Sequence, residues 1–167
     1  TSPSGNIHGM VLSALAGYGD GRLTDIDGRN PKVDPAHVAL VGVRELDEGE
    51  RDLLRRSGAG VYTMHDIDRL GLPAVVESAL ERIRDADGIH VSLDLDVVDP
   101  VQAPGVGTPV LGGLSYRETH LAMEMVAASG RLASMDVVEV NPVLDARNET
   151  ARLAVEVTLS ALGKSIF

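Results

Sequence analysis

Apolar positions along this chain fall alternately into short runs and helical stripes. Val38-Ala39-Leu40-Val41-Gly42-Val43 is a continuous apolar run ending at Arg44, the pattern of a strand buried on both faces of a parallel sheet. Asp47 to Arg56 is charged and helical in pattern, and Gly58 stops it. Gly60 to Met64 reads as a second strand. Pro73 stands where a helix would begin, and Val75, Val76, Ala79, Leu80 and Ile83 follow at helical spacing. Gly88 to Asp96 reads as a third strand. Ser115-Tyr116-Arg117-Glu118 is a capping box, predicting a helix through Ala128 that Gly130 closes. Met135 to Val140 is a fourth strand, and Glu149 to Leu162 a closing helix. Strands alternating with helices predict βαβ units, hence an α/β fold with a parallel sheet covered on both faces. The stretch from Gly17 to Pro35 is a long loop, too short to separate two domains, so residues 1–167 read as one domain.

Composition narrows the picture. Aromatic residues make up only 2% of the chain, so the core must be built from Val, Leu, Ile, Ala and Met. The formal charge is −10 and no basic stripe is present. Phosphate backbones and anionic membranes repel such a surface, so neither nucleic acid nor membrane is an expected partner. Metal ions or cationic small molecules suit it better, although net charge by itself can simply serve solubility. The chain has no cysteine, which excludes disulfide and thiolate-metal chemistry and fits a reducing, cytoplasmic setting. No signal peptide or membrane-length apolar run is visible. The chain opens at Thr1 and its first methionine is Met10, which raises the expectation of a piece of a longer gene product.

Candidate chemistry concentrates in a few places. In Ser92-Leu93-Asp94-Leu95-Asp96, strand alternation would put Ser92, Asp94 and Asp96 on one face. The two carboxylates would then stand at the C-terminal end of a strand, where open α/β sheets bind ligands. Like charges that close repel unless a cation lies between them, and hard oxygen donors suit Mg, Ca or Mn. Solvated carboxylates at a strand end are the bland alternative. Glu139, flanked by valines near the end of the fourth strand, would need a metal or a fixed cation if buried; reaching solvent is the other option. Ser4-Gly5-Asn6-Ile7-His8-Gly9 carries a hydroxyl, an amide and an imidazole able to exchange protons near neutral pH, although the residues alone favour a flexible tail with a solvated histidine. The carboxylates of Arg44-Glu45-Leu46-Asp47-Glu48-Gly49-Glu50 could bind an ammonium group at a strand end, yet by themselves they fit a helix start better. The glycine-rich loop from Gly105 to Gly113 lacks the ending of a phosphate-binding loop.

Taken together, these motifs resemble the arginases of the ureohydrolase family. Ser4-Gly5-Asn6-Ile7-His8-Gly9, Ser92-Leu93-Asp94-Leu95-Asp96, Gly107-Thr108-Pro109 and Glu139-Val140-Asn141-Pro142 stand in the family's order, and the resemblance runs over essentially the whole chain. It implies a three-layer α/β/α fold with a parallel sheet, lacking the family's N-terminal strands. It also implies hydrolysis of L-arginine to L-ornithine and urea at a pair of Mn²⁺ ions. Asp94 and Asp96 would be metal ligands, Glu139 would pair with the guanidinium, and His8 would shuttle protons. Ser4 and Asn6 would recognise the α-carboxylate, Asp47 and Glu50 would lie near the α-amino group, and Thr108 would lie beside the substrate. Self-association as a trimer or hexamer is the family's habit. An agmatinase is the alternative within the family, but a decarboxylated substrate needs no grip of the kind that Asn6, His8 and Asp47 imply.

One departure cuts the other way. The family's remaining metal ligands lie on Gly-Gly-Asp-His and Asp-Ala-His-x-Asp segments, and neither occurs here. In the family's sheet the strand carrying the second segment lies between those matching 38–43 and 90–96. The chain must therefore close that gap or leave strand edges unpaired. A non-catalytic fragment, or a subunit that needs a complementing N-terminal half, is the reading that this favours.

Overall fold

Parallel pairing is confined to two separate ribbons in the computed structural model, which describes residues 2–165. Strand β1 (Ala39–Val43) pairs with β2 (Gly60–Thr63), and β3 (Ile89–Asp94) pairs with β4 (Leu132–Val138). Among the described residues no ladder joins β1 to β3. The strand edges flanking the predicted gap are thus left unpaired, the second of the two outcomes foreseen from the sequence. Each ribbon is a βαβ unit. Helix α3 (Glu48–Ser57) links β1 to β2, and α6 (Tyr116–Ala128) links β3 to β4. Helices α4 (Met64–Leu70) and α5 (Leu72–Arg82) connect the ribbons, α7 (Glu149–Ala161) follows β4, and the short α1 (Val11–Leu15) and α2 (Gly21–Thr24) precede β1. None is long and apolar enough to cross a membrane.

Local chemistry explains most boundaries. Helix α3 opens on a reciprocal capping box between Asp47 and Glu50 and ends at Gly58, whose φ of +83° is the left-handed conformation glycine adopts without cost. Ser115 and Glu118 form the predicted box at the head of α6. A further box, Thr63 with Asp66, starts α4. It ends the second strand at Thr63 instead of Met64 and creates a helix that the sequence pattern did not predict. The expected loop from Gly17 to Pro35 contains α2, which Asp20 caps.

The core is built from the residue types that the composition required. Leu95, Val98, Val106 and Val157 are completely or almost completely buried, with Leu93, Val75, Met123 and Leu153 packed among them. Each such side chain contributes about 1.5–3 kcal/mol by leaving water. Helices α6 and α7 cover one face of the β3–β4 ribbon, while α5 packs against β1, β2 and α6. Among the described residues nothing comparable covers the other face. Ile89 and Leu93 are buried while His90, Ser92 and Asp94, at the alternate positions, are exposed, so among the described residues β3 is covered on one side only. On β4, Val138 shares the open face with Asp94 and is 37% exposed, while Val137, opposite Leu93, is 36% exposed at the edge beside α7.

The ribbons meet at the C-terminal ends of their strands. The loop that follows β3 crosses towards β1, and Val97 reaches Gly42. A Cβ on Gly42 would lie 2.5 Å from Val97 Cγ2, and the backbone there has φ +84° and a register shift between Val41 and Val43. Glycine is required on both counts.

Candidate functional site

Asp94 is the last residue of β3, but Asp96 is not on the strand. It lies in a single 3₁₀ turn, Leu95–Val97, so the expected alternation of Ser92, Asp94 and Asp96 along one strand face breaks after Asp94. The turn exists because the Asp94 carboxylate accepts the Asp96 N–H at 2.8 Å. That contact folds the second carboxylate back towards the first and buries Leu95 beneath them.

The Gly-rich loop closes over the pair. Thr108 Oγ1 donates to Asp96 Oδ2. Asp99 fixes the loop's far end by accepting the N–H groups of Val101 at 3.0 Å and Gly112 at 2.8 Å, which hold its carboxyl below the usual range. The other oxygen of Asp96, Oδ1, is buried and has no hydrogen-bond partner. Desolvation, followed by the negative charges of Asp96 and Glu139, pushes the Asp94 carboxyl above its ordinary value.

Glu139 follows β4 directly and takes φ +67°, the left-handed region that a residue with a Cβ seldom adopts. The kink ends the β4 ladder, and an antiparallel bridge from Val140 to Val106 then secures the Gly-rich loop alongside. A Cβ on Gly107 would lie 3.7 Å from Glu139 Oε2. His8 Nδ1 approaches Glu139 Oε1 at 3.6 Å, with the imidazole about half exposed. The structure therefore gathers Asp94, Asp96, Thr108, Glu139 and His8 at one end of the β3–β4 ribbon. The hydrogen bonds of the other predicted residues are local. Ser4 Oγ lies 3.1 Å from Ser2 Oγ and accepts the Asn6 N–H at 3.2 Å. Asp47 and Glu50 satisfy one another across the start of α3, at 2.8 and 3.0 Å.

A hard divalent cation suits the chemistry of this donor set: two clustered carboxylates, one with an orphaned buried oxygen. In number the set falls short. Among the described residues no three His, Cys, Asp or Glu side chains form a cluster that could hold an ion.

Two features near the site escaped the sequence pattern. Arg44 donates to three backbone carbonyls of the loops around Asp96. A row of polar side chains also runs across the open face of the ribbon. Ser92 Oγ donates to Asp136 at 2.7 Å, Asp136 meets His90 Nε2 at 3.2 Å, and His90 Nδ1 lies 2.8 Å from Ser134 Oγ. The register His90 to Ser134 and Ser92 to Asp136 makes this row, and register between distant strands cannot be read from one strand's spacing.

Comparison with known proteins places the geometry. Residues 1–163 match the model of the arginase family. The arginase of Bacillus caldovelox is 54% identical over 167 residues, covering 99% of this chain and 56% of the relative. The crystal structure of Bacillus subtilis arginase, also 54% identical, superposes with a TM-score of 0.97 over 100% of this chain and 58% of that one. An Entamoeba histolytica arginase solved in complex with L-ornithine is 34% identical, with a TM-score of 0.90 over 98% and 54%. The chain thus spans about half the length of the curated relatives it matches. It belongs to the arginase family, and within that family it corresponds to the C-terminal half of the domain.

Proposed function

We propose that this chain carries the substrate-gripping side, and part of the metal site, of a manganese-dependent arginase that hydrolyses L-arginine to L-ornithine and urea. The observation that supports this most directly is the buried, unpartnered Asp96 Oδ1, set beside Asp94 within the same cluster as the His8–Glu139 pair. Asp94 and Asp96 would hold Mn²⁺, which when bound supplies Lewis acidity and lowers the pKa of water at that point. Thr108 takes up Asp96 Oδ2 and so leaves Oδ1 as the oxygen that would be free to ligate an ion. Glu139 receives the substrate guanidinium as a charge-assisted pair, which orients the carbon for attack. Water adds to that carbon, the bond to the δ-nitrogen breaks, and a proton passes to the departing nitrogen. His8, half exposed beside Glu139, exchanges that proton with solvent. Ser4 and Asn6 receive the α-carboxylate, and Asp47 and Glu50 stand near the α-amino group.

The split sheet and the two-carboxylate donor set support a second statement, that turnover needs a complementing N-terminal half. A cytoplasmic location and a trimer or hexamer complete the reading. The test is urea release with Mn²⁺ from the purified chain, alone and mixed with the N-terminal portion of a Bacillus arginase that this chain does not match. Urea from the mixture alone is expected. Release from the chain alone at the rate of an intact arginase sinks the requirement for a partner, and no release from a folded mixture counts against the arginase reading.

A further inference from the structure

Arg44 is the first residue beyond β1, and its side chain crosses to the other ribbon. Its Nε and Nη2 donate to the Val110 carbonyl at 3.1 and 2.7 Å. Nη2 also reaches the Asp96 carbonyl at 2.5 Å, and Nη1 the Val97 carbonyl at 3.4 Å. None of the ion pairs among the described residues includes Arg44. A partly buried cation bound only to backbone carbonyls has an organising role, because the planar guanidinium fork fixes the directions of several acceptors at once.

Those acceptors sit on two loops that are also joined by the N–H groups of Gly112 and Gly113, which donate to Asp99 Oδ2 at 2.8 and 3.3 Å. One loop is the turn that carries Asp96, and the other is the Gly-rich loop that carries Thr108. Leu114 N–H donates to the Val97 carbonyl at 2.8 Å, and Asp99 N–H to the Leu114 carbonyl at 2.9 Å. Thr108 closes on Asp96 between these points. Arg44 lies at the line where no ladder joins β1 to β3, so these bonds tie both loops to the first ribbon.

We propose that Arg44 is a positioning residue: it holds the Asp96 turn and the Thr108 loop in register with each other and with the end of β1. The inference rests on the proposed function only in treating those loops as the site. Its test requires neither metal nor turnover, so the two can fail separately.

Hydrogen exchange followed by mass spectrometry on the 167-residue chain, with the variants R44K and R44M, provides that test. Peptides covering 95–114 are expected to exchange about tenfold faster in both variants, while peptides from α6 and α7 stay within about twofold of the parent. Lysine keeps the charge without the fork, so R44K is not expected to restore protection. If exchange over 95–114 is unchanged in a folded R44K protein, the proposal is wrong. An equal acceleration in the helices also overturns it, since Arg44 would then only stabilise the fold in general. Should R44M fail to fold, R44K alone decides.

Discussion

Glu139 holds its left-handed backbone at a cost of about 1 kcal/mol or more. Glycine would take the same conformation freely but would loosen the unfolded chain. The variant E139G should therefore unfold in urea within about 1 kcal/mol of the parent, the two effects offsetting one another. A loss above about 2 kcal/mol would show that the side chain, not the backbone, dominates there. Asp145 is the opposite case, a residue that stabilises. It is 6% exposed and accepts the N–H groups of Thr150 and Ala151 at 2.9 Å each, at the first turn of α7. Desolvation favours the neutral acid, but those hydrogen bonds outweigh it and hold the carboxyl below its ordinary value. A depressed folded pKa contributes stability above the unfolded value, about 3.9, and that contribution fades as pH falls through the folded pKa. D145N should thus be less stable than the parent at pH 7, and the gap should begin to narrow below about pH 4 and close as pH falls through the folded pKa. Urea denaturation across that range measures it, and a gap independent of pH would contradict the account. Sequence alone could show that Glu139 sits among valines, but not that it leaves the ladder, because φ depends on how the Gly-rich loop packs against it.

At the level of elements, the same side chain can serve a helix and a ligand, and Asp47 is where the two uses can be separated. Its capping box with Glu50 accounts for the start of α3 without reference to substrate. Serine caps about as well as aspartate, so D47S should keep the unfolding free energy within about 0.5 kcal/mol. The same variant in a complemented enzyme should raise KM for L-arginine. Unchanged KM would return Asp47 to a purely helical role. The legible elements were those whose signals are local. The box at Ser115, the stop at Gly58, and Pro73 in the first turn of α5 all stand where the sequence placed them. Helix α4 was missed because Thr63 was read as part of a strand, although Thr63 with Asp66 spells a box of its own. The third strand was read two residues too far at its C-terminal end because Asp94 caps the turn that ends it. The polar row across the β3–β4 face was hidden for another reason, since it depends on pairing between distant segments.

For the whole molecule, what matters is which surfaces lack a cover. His90, Ser92 and Asp94 face solvent on β3, and a shallow apolar groove lined by Val137, Val155 and Leu159 runs along β4 and α7. On the proposed assignment of Asp94 and Asp96 as a partial donor set, the 167-residue chain should bind Mn²⁺ only weakly, with a dissociation constant of about 0.1 mM or higher. D96N should abolish what binding remains. Titration of the free-ion EPR signal tests both, and tight binding by the chain alone would mean that further ligands were recruited. Resemblance to the family reached as far as the split sheet because it identified the one strand that the sequence lacks between β1 and β3. That gap has a kinetic corollary. A strand entering it would form hydrogen bonds on both of its edges in a single step, to β1 on one side and β3 on the other. An insertion half as long would leave each neighbour frayed, so partial closure gains little and the transition is all-or-none. Opening either ribbon would then mean detaching the inserted strand from it, so the slowest fluctuation would become that of the full sheet.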